Sequence, residues 1–376
     1  MRVALIAPPW FPVPPPKYGG TEAVVSLLAE GLVERGLDVT LFASGDSVTA
    51  ARLEYVHATE RSVDIGQMSA ELEHVLACLS RADEFDLIHD HSGLLALTVA
   101  ASVRTPFVHT AHGPMLGHSG VLYRSALRFN PAASLISLTR AQRRGAPHLP
   151  WIANCPNAIE VDRFPFRDGH DGYLAFLGRM SPEKGAGEAI AVARDAGMPL
   201  RIAAKCREPA ERAYFDAHVG PHLGDGIEYV GELDHQGKAE LLRDARALVA
   251  PIDWEEPFGL VFAEAAACGT PVVATRRGSV PEVVVEGVTG FACDTRETMV
   301  EALGRVDALD PRAIRTHAER RFTPERMVDD YLERMHWRWG TSTARRAHGL
   351  KEQVDERPRG PTAPRPLRAR EARSAG

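Results

Sequence analysis

Short apolar runs alternate with amphipathic stretches along most of this chain. Val3–Ala7, Asp38–Ala43, Asp86–His91, Pro106–Thr110, Leu135–Leu138 and Trp151–Ala153 read as strands. Each is a brief β-branched or apolar run bounded by polar or turn residues. A helical pattern from Thr21 to Arg35 stops at Gly36, a residue suited to the left-handed position after a helix end. After a polar, glycine-containing stretch, Arg167 to Gly172, the alternation restarts at Tyr173–Leu177. Strands follow at Leu200–Ala204, Ile227–Val230, Ala247–Ile252 and Pro271–Ala274. Helices are expected at Glu183–Ala196, Pro209–His222, His235–Ala245 and Gly259–Cys268, then at Glu297–Leu309, Pro311–Phe322 and Pro324–Trp339. Repeated βα units of this kind predict an α/β chain of two tandem doubly wound domains, 1–166 and 167–322. The helix in 323–340 is expected to pack back toward the first domain, and the Arg/Pro-rich tail 341–376 to be disordered.

Composition narrows the class. The chain has 376 residues, more than the ~250–300 a single core usually supports. With 44% hydrophobic and 25% charged residues it reads as an ordinary globular enzyme. Five scattered cysteines with no C-x-x-C pair argue against a disulfide framework and a structural zinc site, and fit a reducing cytoplasm. No apolar run approaches ~18 residues, and Val3–Ala7 meets Pro8-Pro9 at once, so neither a signal peptide nor a transmembrane helix is expected. The net charge of -6 divides unevenly, because 341–376 carries +5 and the body therefore about -11. Such a body argues against a nucleic-acid partner. The tail reads first as a solvated segment; about 1 kcal/mol per Lys or Arg near an anionic surface also allows weak peripheral contact with the inner face of a membrane.

Two tandem sheets leave a cleft at the carboxyl ends of their strands, where ligands bind in folds of this type. Gly19-Gly20 separates the first strand from its helix, so backbone N–H groups can face an anion there, although a plain turn would use the same residues. The spacing is not the G-x-G-x-x-G dinucleotide pattern. Arg179 and Lys184 follow the strand that opens the second domain, and cations beside a helix start suit a diphosphate. Glu256-Pro257-Phe258-Gly259 follows another strand, and Glu264 lies in the apolar sequence Leu260–Cys268, where a buried carboxylate needs a partner such as a ribose diol. His112 ends a strand near His109, His91 and His89. Strand alternation and the lack of an acidic cluster argue against a metal site, which leaves His112 as a polar contact or proton acceptor. Arg124, Arg128, Arg140, Arg143 and Arg144 are expected on acceptor-facing loops, as solvated charges or as contacts for an anionic acceptor.

The combination of Gly19-Gly20-Thr21-Glu22, His112-Gly113, Arg179 with Lys184-Gly185, and Glu256-Pro257-Phe258-Gly259 with Glu264 resembles glycosyltransferase family 4. The similarity spans roughly residues 1–339. It implies the GT-B fold, two Rossmann-like domains facing a cleft, and a retaining enzyme that uses a nucleotide-sugar donor. On matching positions it implies that Arg179 and Lys184 hold the diphosphate, Glu264 takes the ribose hydroxyls and Glu256 grips the donor sugar. Phe258 and Gly259 would assist through backbone N–H groups, Gly19 and Gly20 would touch phosphates or sugar, and His112 would lie beside the anomeric carbon. The family's Asn-Gly-Ile-Asp element appears here as Asn157-Ala158-Ile159-Glu160.

No Asp-x-Asp pair is present, Asp253-Trp254-Glu255 being the nearest approximation, so no metal and no cofactor besides the donor substrate is expected. The acceptor is not identified by the sequence and is expected to be a carbohydrate, lipid or small molecule. A nucleotide-sugar epimerase or phosphorylase on the same scaffold, or a non-catalytic nucleotide-sugar-binding protein, would share many of these residues.

Overall fold

The computed structural model describes residues 1–335 and Gly340. Strands β1 (Arg2–Ile6), β2 (Asp38–Phe42), β3 (Arg52–Glu54), β4 (Leu87–Asp90), β5 (Phe107–Thr110), β6 (Ser134–Ser137) and β7 (Trp151–Asn154) form one sheet, ordered β3-β2-β1-β4-β5-β6-β7. A second contains β8 (Leu174–Arg179), β9 (Leu200–Lys205), β10 (Ile227–Gly231), β11 (Ala247–Ala250), β12 (Val272–Thr275) and β13 (Gly290–Cys293), ordered β10-β9-β8-β11-β12-β13. Every pairing runs parallel; Ile6, for example, sits opposite Phe42 on one side and Asp90 on the other. Central strands buried on both faces are apolar throughout, as Val3–Ile6 and Leu248–Ala250 are.

In each sheet the order reverses beside its first strand, between β1 and β4 and between β8 and β11. The loops leaving these strands diverge there and open a crevice. Thus Arg179, the last residue of β8, and the segments after β1, β5, β8 and β11, which carry the other expected site residues except Glu264, sit at strand ends. Glu264 follows in helix Leu260–Cys268.

Several boundaries differ from expectation. Strands β3 and β13 were not expected. The helix expected from Glu183 starts at Ala186, after a 3₁₀ turn Pro182–Lys184. Gly185 enforces the break: its φ is 81°, and a Cβ there would lie 2.3 Å from the Pro251 carbonyl oxygen. Pro251 likewise ends the strand expected to reach Ile252. The helices expected to run to His222 and Leu309 close at His218 and Leu303, each followed by a 3₁₀ turn.

A helix over 324–335 inserts Met327, Val328, Tyr331 and Met335 among Val24, Leu28 and Leu32, on one face of the first sheet. Arg35 pairs with Asp329, and Arg326 donates to the carbonyls of Pro156 and Asn157. The rest of the expected final helix, 336–339, and the tail 341–376 lie outside the described residues. All five cysteines are free. Among the described residues no helix is long and apolar enough to cross a membrane.

Candidate active site

All nine residues singled out above line one cavity of 290 Å³, to which both sheets contribute. Gly19 and Gly20 bring the β1 loop into it. Gly19 has φ 149°, and a Cβ there would meet the Pro15 side chain at 2.7 Å, so the turn needs glycine whatever else it does. The Phe258 ring is buried edge-on against Phe322, with centroids 5.7 Å apart. Gly259, at φ 77°, precedes helix Leu260–Cys268.

The cavity's charges are arranged as cation–carboxylate pairs. Lys184 Nζ donates to Glu256 Oε2 at 2.6 Å, and its ammonium lies 4.3 Å from the centre of the Trp254 ring. Trp254 Nε1 donates to the same carboxylate oxygen at 3.1 Å. Arg179 pairs with Glu183 at 2.7 Å. Glu264 is buried, and its partner is Lys238, 2.5 Å away. The carboxylate in an apolar helix is therefore satisfied by a lysine of helix His235–Asp244, which the sequence reading left out.

His112 is linked at Nε2 to His91 Nδ1, 2.9 Å away. Burial pushes its imidazole down to about 3, with a smaller contribution from the charge of His109, and burial pushes His91 well down too. His112 is thus neutral at ordinary pH. His89 and His91, two apart on the strand and its end, have ring centroids 4.3 Å apart and planes tilted by 46°, while His109 turns to Asp90 and Tyr123. Among the described residues no group of three or more His, Cys, Asp or Glu is placed to hold a metal ion. Asp253 pairs with Arg277 at 2.8 Å, and Glu255 accepts from the Gly278 N–H at 2.9 Å, so the Asp-x-Glu sequence does not converge.

Further polar groups line the cavity that sequence reasoning missed. Lys205, the last residue of β9, is 4% exposed and lies between Glu208 and Glu211. Its ammonium sits 5.4 Å from the ring centre of Tyr18, which comes from the other half of the molecule. Burial pushes the Tyr18 phenol up to about 12. A lysine closing the strand expected at Leu200–Ala204 was the available signal for Lys205. Of the five arginines expected on acceptor-facing loops, Arg124 and Arg128 lie instead on helix His118–Phe129; Arg143 turns inward to Ser137 Oγ at 2.7 Å, whereas Arg124, Arg128, Arg140 and Arg144 are exposed. Ala158 is buried and lies outside the positive-φ region, so its backbone does not require the glycine of the family element.

Residues 18–154 match the family model Glycosyltransferase Family 4, and residues 159–310 match Glycosyl transferases group 1. The chain is 31% identical over 276 residues to a glycogen synthase of Mycobacterium tuberculosis, an alignment covering 65% of each chain. The chain thus spans just under two thirds of that relative's length. It is 30% identical over 358 residues to a D-inositol 3-phosphate glycosyltransferase of Frankia alni, covering 74% of this chain and 83% of that one. Among solved structures it is similar to AviGT4, a glycosyltransferase involved in avilamycin A biosynthesis. The TM-score is 0.68 at 26% identity, over 90% of this chain and 98% of the other.

Proposed function

This chain belongs to glycosyltransferase family 4, with the two-sheet GT-B fold, and from that premise we propose that it moves a sugar from a nucleoside-diphosphate-sugar donor to an acceptor hydroxyl with retention at the anomeric carbon. The observation that carries the reading is the convergence of Arg179, Lys184, Glu256, Glu264, His112 and Gly19-Gly20 on one cavity. A solvated charge pattern would have no reason to place two Lys–Glu pairs from one half against a neutral histidine from the other.

Departure of the nucleoside diphosphate builds negative charge on its phosphates and positive charge on the sugar ring. Preorganised cations aimed at the first stabilise the transition state more than the ground state. Arg179 and Lys184 take this role, which a divalent cation would otherwise fill. Glu256, held by Lys184 and Trp254, binds sugar hydroxyls. Glu264, with Lys238 beside it, binds the ribose. His112 is neutral, so it can hydrogen-bond the sugar without setting a positive charge against the developing cation.

The test has two stages. Thermal shift with a panel of UDP-, ADP- and GDP-sugars should identify a donor, because a ligand bound only by the native state raises stability. Transfer from that donor should then give a product with the donor's anomeric configuration by NMR. No stabilising donor, or an inverted product, would overturn the proposal.

A further inference from the structure

The loop carrying His112 is held by a side chain that touches nothing in the cavity. Gln142, 6% exposed, donates from Nε2 to the carbonyls of Ala111 and Gly113, both at 2.7 Å, so it clamps the backbone on either side of His112. Its Oε1 accepts from the Leu138 N–H at 2.8 Å. Two donors and one acceptor on one planar group match a primary amide and no other side chain of this length. Gln142 belongs to the helical turn Arg140–Arg143. Thr139, which precedes the turn and is 2% exposed, accepts from the Gln142 N–H at 3.2 Å.

That same turn is gripped from the other half of the molecule. Thr139 Oγ1 donates to the Pro257 carbonyl at 2.9 Å, one residue after Glu256. Glu282 accepts the N–H groups of Arg140 at 2.9 Å and Ala141 at 2.5 Å. Glu282 is itself tied to the Glu256 segment. Its N–H donates to the Ser279 carbonyl, and Ser279 holds the carbonyls of Glu256 and Phe258 through its N–H, at 2.8 Å, and its Oγ, at 2.7 Å. A continuous hydrogen-bonded path therefore runs from the Glu256 loop, across the cleft, to the carbonyls of Ala111 and Gly113, the residues on either side of His112.

We propose that Gln142 is a positioning residue for His112, and that Thr139 and Glu282 make its hold depend on the two halves being together. Bonds to Glu282 and Pro257 exist only when the halves meet, so they stabilise the closed arrangement alone and order the His112 loop with it. The catalytic consequence rests on the transferase reading above. The ordering itself does not.

The experiment compares wild type, Glu282→Ala, Gln142→Ala and the double variant. Hydrogen exchange of peptides spanning 108–120 reads the loop without any turnover. Losing a cap typically costs about 1 kcal/mol, a factor of roughly five in an equilibrium, so exchange there should rise about fivefold in Glu282→Ala, although residue 282 lies in the other half. The double variant should exchange no faster than the faster single one, because both cut one path. Unchanged exchange in Glu282→Ala overturns the proposal, and this arm stands even if Gln142→Ala fails to fold. With a donor in hand, Glu282→Ala should lower kcat while the affinity for UDP, ADP or GDP, measured by calorimetry, stays at the wild-type value. Equal losses in both would show that Glu282 serves the donor pocket, and would also overturn it. A wild type that transfers no sugar would sink the transferase reading and leave the exchange result to decide the relay.

Discussion

Replacing Lys184 with alanine separates what the Lys184–Glu256 pair does for stability from what it does for chemistry. The two groups lie 2.6 Å apart with side chains 20% and 11% exposed. Removing one partner of a fully buried pair costs about 3–5 kcal/mol, because the other charge is left uncompensated. Here residual solvent contact and the remaining bond from Trp254 Nε1 reduce the figure to about 2 kcal/mol. For a chain of 376 residues that corresponds to a fall of roughly 2–3 °C in the thermal midpoint. Turnover should fall further, by more than ~10²-fold, the usual loss on removing one preorganised transition-state stabiliser. The double variant Lys184→Ala with Glu256→Gln removes the stranded charge. Its midpoint should return toward wild type while turnover stays low. The measurements are a thermal melt and the initial rate at saturating donor. Lys184→Ala with a lowered midpoint and a rate within about twofold of wild type would refute the reasoning, since Lys184 would then serve only to neutralise Glu256.

Glu264→Gln keeps size and one acceptor oxygen but loses charge-assisted bonds worth roughly 1.5–3 kcal/mol, so nucleotide affinity by calorimetry should weaken tenfold or more; equal affinity with an intact fold would remove Glu264 from the ribose site. Activity should persist in excess EDTA, and complete loss restored by magnesium or manganese would show that Arg179 and Lys184 do not suffice. Glu22 is buried, and burial raises its carboxyl to about 8. The folded state therefore keeps a proton that the unfolded state loses above about 4.5, and stability from this group falls by about 1.4 kcal/mol per pH unit as pH rises between those values. Glu22→Gln should flatten the dependence of the thermal midpoint on pH between 5 and 8, and parallel curves for the two proteins would contradict it.

Most core strands and nine of the residues lining the cavity were legible because each signal is local. An apolar run such as Val3–Ala7 can only be a buried strand or a short buried helix, and Pro8-Pro9 closes it. Strand β3 was not legible, since Arg52–Glu54 is a short, polar edge that carries no burial pattern. Strand β13 begins on glycine and is four residues long. The partner of Glu264 was illegible for a different reason. The need for one follows from the apolar sequence around it, but Lys238 lies 26 residues away on a neighbouring helix, and only the packing of those helices brings them together. Gln142 and Glu282 sit 140 residues apart and carry no motif. Their meaning exists only in the arrangement of the two halves.

The helix over 324–335 has a consequence for exchanging parts between relatives. Because Met327, Val328, Tyr331 and Met335 complete the core of the first sheet, the second half is a segment inserted between two pieces of the first rather than a detachable end. A chimera built by a single junction near residue 170 would give the first half a foreign closing helix, with mismatched contacts at Val24, Leu28 and the Arg35–Asp329 pair. Two junctions, one near 170 and one near 323, keep each core of single parentage, and the second half can then be exchanged without recutting the first.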